Sequence, residues 1–275
     1  MNALTFTPKN ELKFTLDASF LIPDHLKGLK LPEIRKIRLE YGNQRVNAGD
    51  LFKIAGTDNS IVHFQACTSK VIRIGQKMKS GIIEVFGNAG DYLGKEMQDG
   101  KIIVHGSAGD WTGCSMENGY IEITSDVGEY LGAGVPGDPH GMSNGQIIVL
   151  GNAGDRVGDR MRRGTIIIHG KAGDYCGSRM YAGTIIVLDK AGKYVGYSMR
   201  RGSIILAKKP KHISSTFKSC GYLKMQYLRL LFTQLIGMGG LYAVFEKYGP
   251  EAHRFAGDMA SNGKGEILIL QTIRI

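Results

Sequence analysis

Met161-Arg162-Arg163-Gly164-Thr165-Ile166-Ile167-Ile168-His169-Gly170-Lys171-Ala172-Gly173-Asp174-Tyr175-Cys176-Gly177-Ser178-Arg179 is one period of a repeat that decides the fold, and Met180 opens the next. Methionine recurs at Met78, Met97, Met116, Met142, Met161, Met180 and Met199, every step being 19 residues except one of 26. A fixed spacing in a chain without sustained heptads predicts stacked supersecondary units, one per period. Glycine follows each methionine by three residues, from Gly81 to Gly202. It also precedes most of them by three, as at Gly75, Gly94, Gly113, Gly158, Gly177 and Gly196, and Gly132 joins that column once a seven-residue excess before Met142 is removed. Such glycines mark backbone with positive φ or without room for a Cβ, so each unit turns at least twice. Between the turns lie short β-branched runs such as Ile102-Ile103-Val104, Ile147-Ile148-Val149 and Ile204-Ile205-Leu206, which read as strands. Parallel stacking at about 4.8 Å with right-handed crossovers predicts an all-β core. The expected fold is a right-handed parallel β-solenoid of 19-residue rungs, its bore filled by these isoleucines and valines.

The pattern divides the chain into an N-terminal strand/turn cap (1–60), the solenoid (61–207) and a C-terminal extension (208–275). The cap is mixed, with a brief helix start at Pro32-Glu33-Ile34, where proline suits the first helical position, and a strand from Gly49 to Ile54. Beyond Leu206 the repeat stops at Ala207-Lys208-Lys209-Pro210-Lys211-His212. Leu223, Tyr227, Leu231 and Leu235 then share one helical face, and Leu241 to Tyr248 reads as a second short helix. These helices either plug the far end of the stack or are offered to another subunit.

Two further columns run with the methionines. Asp91, Asp110, Asp155 and Asp174 each follow Ala-Gly, where aspartate accepts backbone N–H bonds in a turn. Beside them run Tyr92, Trp111, Tyr130, Arg156, Tyr175 and Tyr194, an aromatic stack that Arg156 interrupts next to the long unit.

Lysine and arginine number 35 against 25 acidic residues, a formal charge of +10 that favours an acidic partner. Cys67, Cys114, Cys176 and Cys220 form no Cys-x-x-Cys pair, which argues against a zinc ribbon, an iron–sulfur motif or a disulfide framework. Met1 to Leu12 lacks the continuous apolar region of a signal peptide. Leu228 to Ile236 contains Arg229 and stops at Gly237, too short to span a bilayer. A cytoplasmic protein is expected, with neither a nucleic-acid nor a membrane partner.

No nucleophile motif, phosphate loop or metal-binding helix is present, and the glycines, which recur without a βαβ pattern, are no dinucleotide fingerprint. His105 and His169 close equivalent strands three units apart, which argues against a shared metal. No catalytic or metal-ligating residue is assigned. Two departures from regularity remain. One is the loop Ala133-Gly134-Val135-Pro136-Gly137-Asp138-Pro139-His140-Gly141, since insertions in solenoids gather on one face. The other is a basic edge of Arg160, Arg162, Arg163, Arg179, Arg200 and Arg201, whose guanidinium forks suit carboxylate or phosphate.

The repeated Gly-x-Ile-x-Val-x-Gly-x-Ala-Gly-Asp-x-x-Gly-x-x-Met pattern, between Gly75 and Leu206, resembles the GXGXG domain of the glutamate synthase large subunit and of the C subunit of formylmethanofuran dehydrogenase. The opening Met1 to Thr7, the Arg162-Arg163-Gly164-Thr165 and Ala182-Gly183-Thr184-Ile185 turns, and the closing Ala256-Gly257-Asp258-Met259-Ala260 and Gly263 to Leu268 look like the C subunit of bacterial formyltransferase/hydrolase complexes. That resemblance implies a non-catalytic scaffolding subunit whose partners are the complex's other subunits. Formyl transfer between tetrahydromethanopterin and a methanofuran-like carrier, and hydrolysis to formate, would belong to those subunits. It also implies that the arginine edge holds the carrier's polyglutamate tail or a neighbouring subunit. The archaeal molybdenum or tungsten dehydrogenase subunit, a stand-alone glutamate-synthase-type module and a polyanion-binding solenoid are the rival readings.

Overall fold

In the computed structural model, which describes residues 2–272, each repeat unit is one short strand followed by a string of turns. Met1 and residues 273–275, the outermost parts of the expected cap and extension, lie outside the described residues. The N-terminal part supplies β1 (Ala3–Pro8), β2 (Leu16–Asp17), α1 (Pro23–Leu26), α2 (Leu31–Arg35), β3 (Arg38–Tyr41), β4 (Gln44–Asn47), α3 (Ala48–Leu51), β5 (Phe52–Ala55), β6 (Asp58–Cys67) and β7 (Val71–Ile72). The units contribute β8 (Ile82–Gly87), β9 (Lys101–His105), β10 (Tyr120–Ile123), β11 (Gln146–Val149), β12 (Thr165–Ile168), β13 (Thr184–Val187) and β14 (Ser203–Leu206). The remainder is β15 (Lys218–Lys224), α4 (Gln226–Gly237), a 3₁₀ helix Gly240–Lys247, β16 (Tyr248–Gly257) and β17 (Gly265–Thr272).

The protein is mostly β, with one large mixed sheet of 13 strands in the order β15-β16-β17-β14-β13-β12-β11-β10-β9-β8-β6-β1-β5 and a four-stranded sheet β4-β3-β2-β7. From β8 to β14 all neighbours are parallel, and Ile102, Ile121, Ile147, Ile166, Ile185 and Ile204 stand directly beside one another. A second parallel ladder links Ala108, Val127, Ala153, Ala172 and Ala191 at the turn after each strand, so consecutive units align at two places in the period.

The interior explains the glycine columns. Every methionine from Met78 to Met199 is fully buried. Its methyl occupies the space that a side chain on the next unit's glycine would need: a Cβ at Gly119 would lie 2.8 Å from Met97 Cε, and one at Gly183 2.9 Å from Met161 Cε. Both glycines have φ near the left-handed range, +100° and +106°, so backbone conformation and packing exclude other residues together. The other glycine column, from Gly75 to Gly177, receives the Cδ1 of an isoleucine in the same way, as Gly132 does from Ile166, whereas Gly196 meets Met199 and Phe217. Each unit thus keys into the next with ordinary close-packed apolar atoms.

The opposite face of the sheet corrects the expectation that all the isoleucines fill an interior bore. Ile148, Ile167, Ile186 and Ile205 point away from the methionines and form a second buried cluster with Leu228, Phe232 and Leu235 of α4 and Tyr242 and Phe245 of the 3₁₀ helix. The helices therefore lie over the flank of the later strands instead of plugging the stack. Successive strand residues face opposite sides, so the middle residue of each run belongs to this outer row. On β8, β9 and β10 that row is Glu84, Ile103 and Glu122, each only half-buried. The extension also contains three strands that local periodicity did not reveal. β17 pairs in parallel with β14, placing Ile267 beside Ile204, and Gly265 seats the methyl of Met199 as Gly202 seats that of Met180. It is one more step of the same sheet, reached after a long excursion.

Candidate functional site

The 26-residue step is where the regular surface breaks. Ala133 and Gly134 still occupy their places in the ladder, with Ser115 N–H donating to Ala133 O and Gly134 N–H to Asp159 O. The seven extra residues are Val135–Gly141, and Gly141 N–H then donates to Arg160 O, returning the chain to the stack before Met142. Asp138 N–H closes a turn on Val135 O around Pro136-Gly137, with Gly137 at φ +94°, the residue order a type II turn requires.

Side chains from both neighbouring units pin this loop. Ser115 Oγ donates to Asp138 Oδ2 at 3.0 Å, and Arg160 Nη1 donates to the Asp138 carbonyl at 3.0 Å. The His140 ring lies 5.1 Å from that of Tyr181, whose other neighbour is the Arg200 guanidinium at 4.9 Å. Under the loop is an open cleft of about 720 Å³, with Glu96 and Glu117 on the side of the earlier units and Arg162 on the side of the later ones. Carboxylates and a guanidinium therefore face one hollow across Asp138 and His140.

The six arginines fall into two groups. Arg179 grips Asp159 through both carboxylate oxygens, Nε to Oδ1 at 2.9 Å and Nη2 to Oδ2 at 2.5 Å, and Arg160 Nε stands 3.9 Å from Oδ2. Asp159 is 2% exposed and also accepts from Ser178 Oγ at 2.5 Å, so this bidentate pair anchors the stack beneath the loop. Arg162, Arg163, Arg200 and Arg201 are exposed. Arg162 and Arg200 occupy one column with Tyr181 between them, and Arg163 and Arg201 the next. Asp159 escaped the sequence reading, because the place two residues before the methionine carries Lys95 and Tyr197 in other units as well as Cys114 and Ser178, and so does not by itself mark burial.

The aspartate column accepts N–H bonds from the following unit, not from its own turn. Asp91 Oδ1 takes the Asp110 N–H at 2.9 Å, Asp110 that of Glu129 at 2.7 Å, and Asp174 that of Lys193 at 2.7 Å. Arg156 extends the aromatic stack instead of interrupting it: its guanidinium lies 5.9 Å from the Tyr130 ring and 4.7 Å from that of Tyr175, a cation–π filling.

Among the described residues no group of three or more His, Cys, Asp or Glu is placed to hold a metal. Burial pushes the Cys67, Cys114 and Cys176 thiols up to about 12, so they are protonated packing residues and not thiolate ligands. Among the described residues no helix is long and apolar enough to cross a membrane.

An in-register stack of units joined by glycine and methionine columns defines a structural module. Residues 55–226 match the GXGXG motif family, and the chain belongs to that family. Over 96% of its length it superposes, with a TM-score of 0.89 and 32% identity, on 98% of a chain in the crystal structure of the formyltransferase/hydrolase complex (FhcABCD) from Methylorubrum extorquens in complex with methylofuran. It is 36% identical over 99 residues to the C subunit of the tungsten-containing formylmethanofuran dehydrogenase 2 of Methanothermobacter marburgensis. To the C subunit of the molybdenum-containing formylmethanofuran dehydrogenase 1 of the same organism it is 37% identical over 85 residues. These matches span 34% and 30% of this chain and only 36% and 21% of the relatives' own lengths.

Proposed function

We propose that this chain is the non-catalytic C subunit of a cytoplasmic formyltransferase/hydrolase complex of one-carbon metabolism, built as a right-handed parallel β-solenoid between an N-terminal cap and a C-terminal extension. The observation that carries the reading is the superposition across nearly the whole of both chains at 32% identity. Units keyed together by buried methionine and glycine are closely packed, and a fixed shape is what a scaffold contributes to an assembly. The other subunits of the complex pass the formyl group between tetrahydromethanopterin and a methanofuran-like carrier and release formate. The exposed Arg162, Arg163, Arg200 and Arg201 meet carboxylates there, either the carrier's polyglutamate tail or an acidic face of a neighbouring subunit.

Purification of the native protein with identification of its co-eluting chains tests this directly. Three further chains with formyltransferase and hydrolase turnover in the assembly, and none in the chain alone, is the expected result. Turnover by the chain alone, abolished by changing one of its own residues, would end the scaffold reading. Replacing Arg162, Arg163, Arg200 and Arg201 by glutamine separates the two uses of the edge. Loss of assembly on gel filtration assigns them to docking, and weaker, salt-dependent carrier binding with assembly intact assigns them to the tail.

A further inference from the structure

The second basic surface lies where the repeat stops. The segment Lys208–His212 and the turn Lys190–Tyr194 line a cleft of about 680 Å³, with Lys190, Lys193, Tyr194, Lys209, Pro210 and Lys211 among its lining residues. Lys208 is neutralised by Asp189, whose carboxyl this contact holds below the usual range. Among the described residues none of Lys190, Lys193, Lys209 and Lys211 makes an ion pair, and Asp174, also in the lining, spends one oxygen on the Lys193 N–H. The walls are largely apolar, because lysine presents its methylene stem to a surface while its ammonium reaches outward.

Tyr194, which lines this cleft, is the end of the aromatic column. Trp111 stacks on Tyr130 at 4.1 Å, Arg156 bridges Tyr130 to Tyr175, and Tyr175 stacks on Tyr194 at 4.8 Å. All the members from Tyr92 to Tyr194 hold φ between +58° and +61°, the left-handed conformation that aims each side chain along the same line. At Tyr194 the chain leaves the repeat without supplying another ring, and the tyrosine is 50% exposed. A column of rings that ends half exposed in a hollow of this size, rimmed by unpaired ammonium groups, offers a stacking place and anion contacts together. Pockets of this volume with apolar walls and a few convergent charges suit small molecules.

We propose that this cleft binds a planar aromatic or heteroaromatic compound bearing phosphate or carboxylate groups, its ring on Tyr194 and its anionic groups on Lys193, Lys209 and Lys211. A ringless polyanion would use the ammonium groups and leave Tyr194 and the apolar walls unmatched. The inference is independent of the arginine edge and of the scaffold reading.

Calorimetric titration of the full chain tests it. Adenosine monophosphate and flavin mononucleotide serve as planar anions, adenosine and riboflavin as their uncharged counterparts, and inorganic phosphate and pentaglutamate as ringless anions. At least one planar anion should bind saturably, at least tenfold more tightly than its uncharged counterpart and than either ringless anion. Tyr194→Asn, a residue that tolerates positive φ, and the pair Lys209→Gln with Lys211→Gln should each weaken that binding tenfold or more, whereas Tyr194→Phe should not. Thermal melting of each variant confirms that it is folded, and Tyr194→Phe with the lysine pair still decides the matter if Tyr194→Asn is not. Saturable binding of neither planar anion, binding indifferent to the lysine pair or to loss of the ring, or pentaglutamate bound as tightly as the nucleotides would each overturn the proposal.

Discussion

The earlier units, with strands β8 to β10, and the later ones, with β11 to β14, share an interior and differ in their outer row. Inside, Ile83, Ile102 and Ile121 continue without change into Ile147, Ile166, Ile185 and Ile204, all fully buried. Outside, Glu84, Ile103 and Glu122 give way to Ile148, Ile167, Ile186 and Ile205, and only the second set is covered by α4 and the 3₁₀ helix. The inner row encodes the stack, and the outer row encodes what lies on it. The loop Val135–Gly141 falls between the two halves, and the cleft under it has Glu96 and Glu117 on the earlier side and Arg162 on the later.

The strongest way to break this comparison is to place the same charge in both outer rows. Ile186→Glu buries a carboxylate under apolar side chains of the helices and should cost more than about 4 kcal/mol, by unfolding or by release of α4. Ile103→Glu enters a half-exposed row between Glu84 and Glu122, where like charges on adjacent strands should cost up to about 1 kcal/mol. Urea midpoints, with limited proteolysis of residues 226–247 as a second readout, compare the two. Equal losses would mean that the flank is not what distinguishes the halves.

A change in the glycine column that seats the methionines should instead be indifferent to position. Gly119→Ala and Gly183→Ala meet Met97 and Met161 at nearly equal distances and equal backbone conformations. A Cβ at positive φ and a displaced methionine together should cost about 2 to 4 kcal/mol at either site. A difference above about 1 kcal/mol between the two sites, measured by the same denaturation, would show that the interior of the stack is not uniform.

The inner row was legible because its constraints are steric and recur every 19 residues, so Met, Gly and Ile cannot drift. The outer row was written as plainly, Glu against Ile in the middle of most runs, but its meaning depends on a helix that begins only at Gln226, well beyond the last unit. Nothing local links α4 to Ile167. β17 was hidden for a similar reason: Gly265-Glu266-Ile267-Leu268 repeats the Gly202-Ser203-Ile204-Ile205 pattern, but 63 residues later instead of 19. At the candidate site the loop and the arginines were visible as departures from periodicity. Their division into a structural pair and an exposed set hinged on Asp159, the one acid in a column that otherwise varies from Lys95 and Cys114 to Ser178 and Tyr197.

The smallest effect expected from the comparison is a slope against pH. His169 follows β12 at the place that His105 holds at the end of β9, but in the covered half, where its Nε2 is buried without a partner. Burial, and secondarily the Lys247 ammonium on the 3₁₀ helix, lower its pKa from the ordinary imidazole value. The unfolded chain, with an imidazole near 6.5, therefore takes up a proton at a higher pH than the folded one. Stability is then fully present above about pH 6.5 and is lost as pH falls toward the folded pKa, because protonation favours the unfolded chain over that window. Urea midpoints of wild type and His169→Gln between pH 5 and 8 should converge or differ by a constant above neutrality, with the wild type falling more steeply below it. Lys247→Met removes the secondary cause and should leave most of the slope, since desolvation by the helices remains. Parallel curves for wild type and His169→Gln would mean that the helices do not desolvate this edge of the outer row, and that the covered half ends at Ile167.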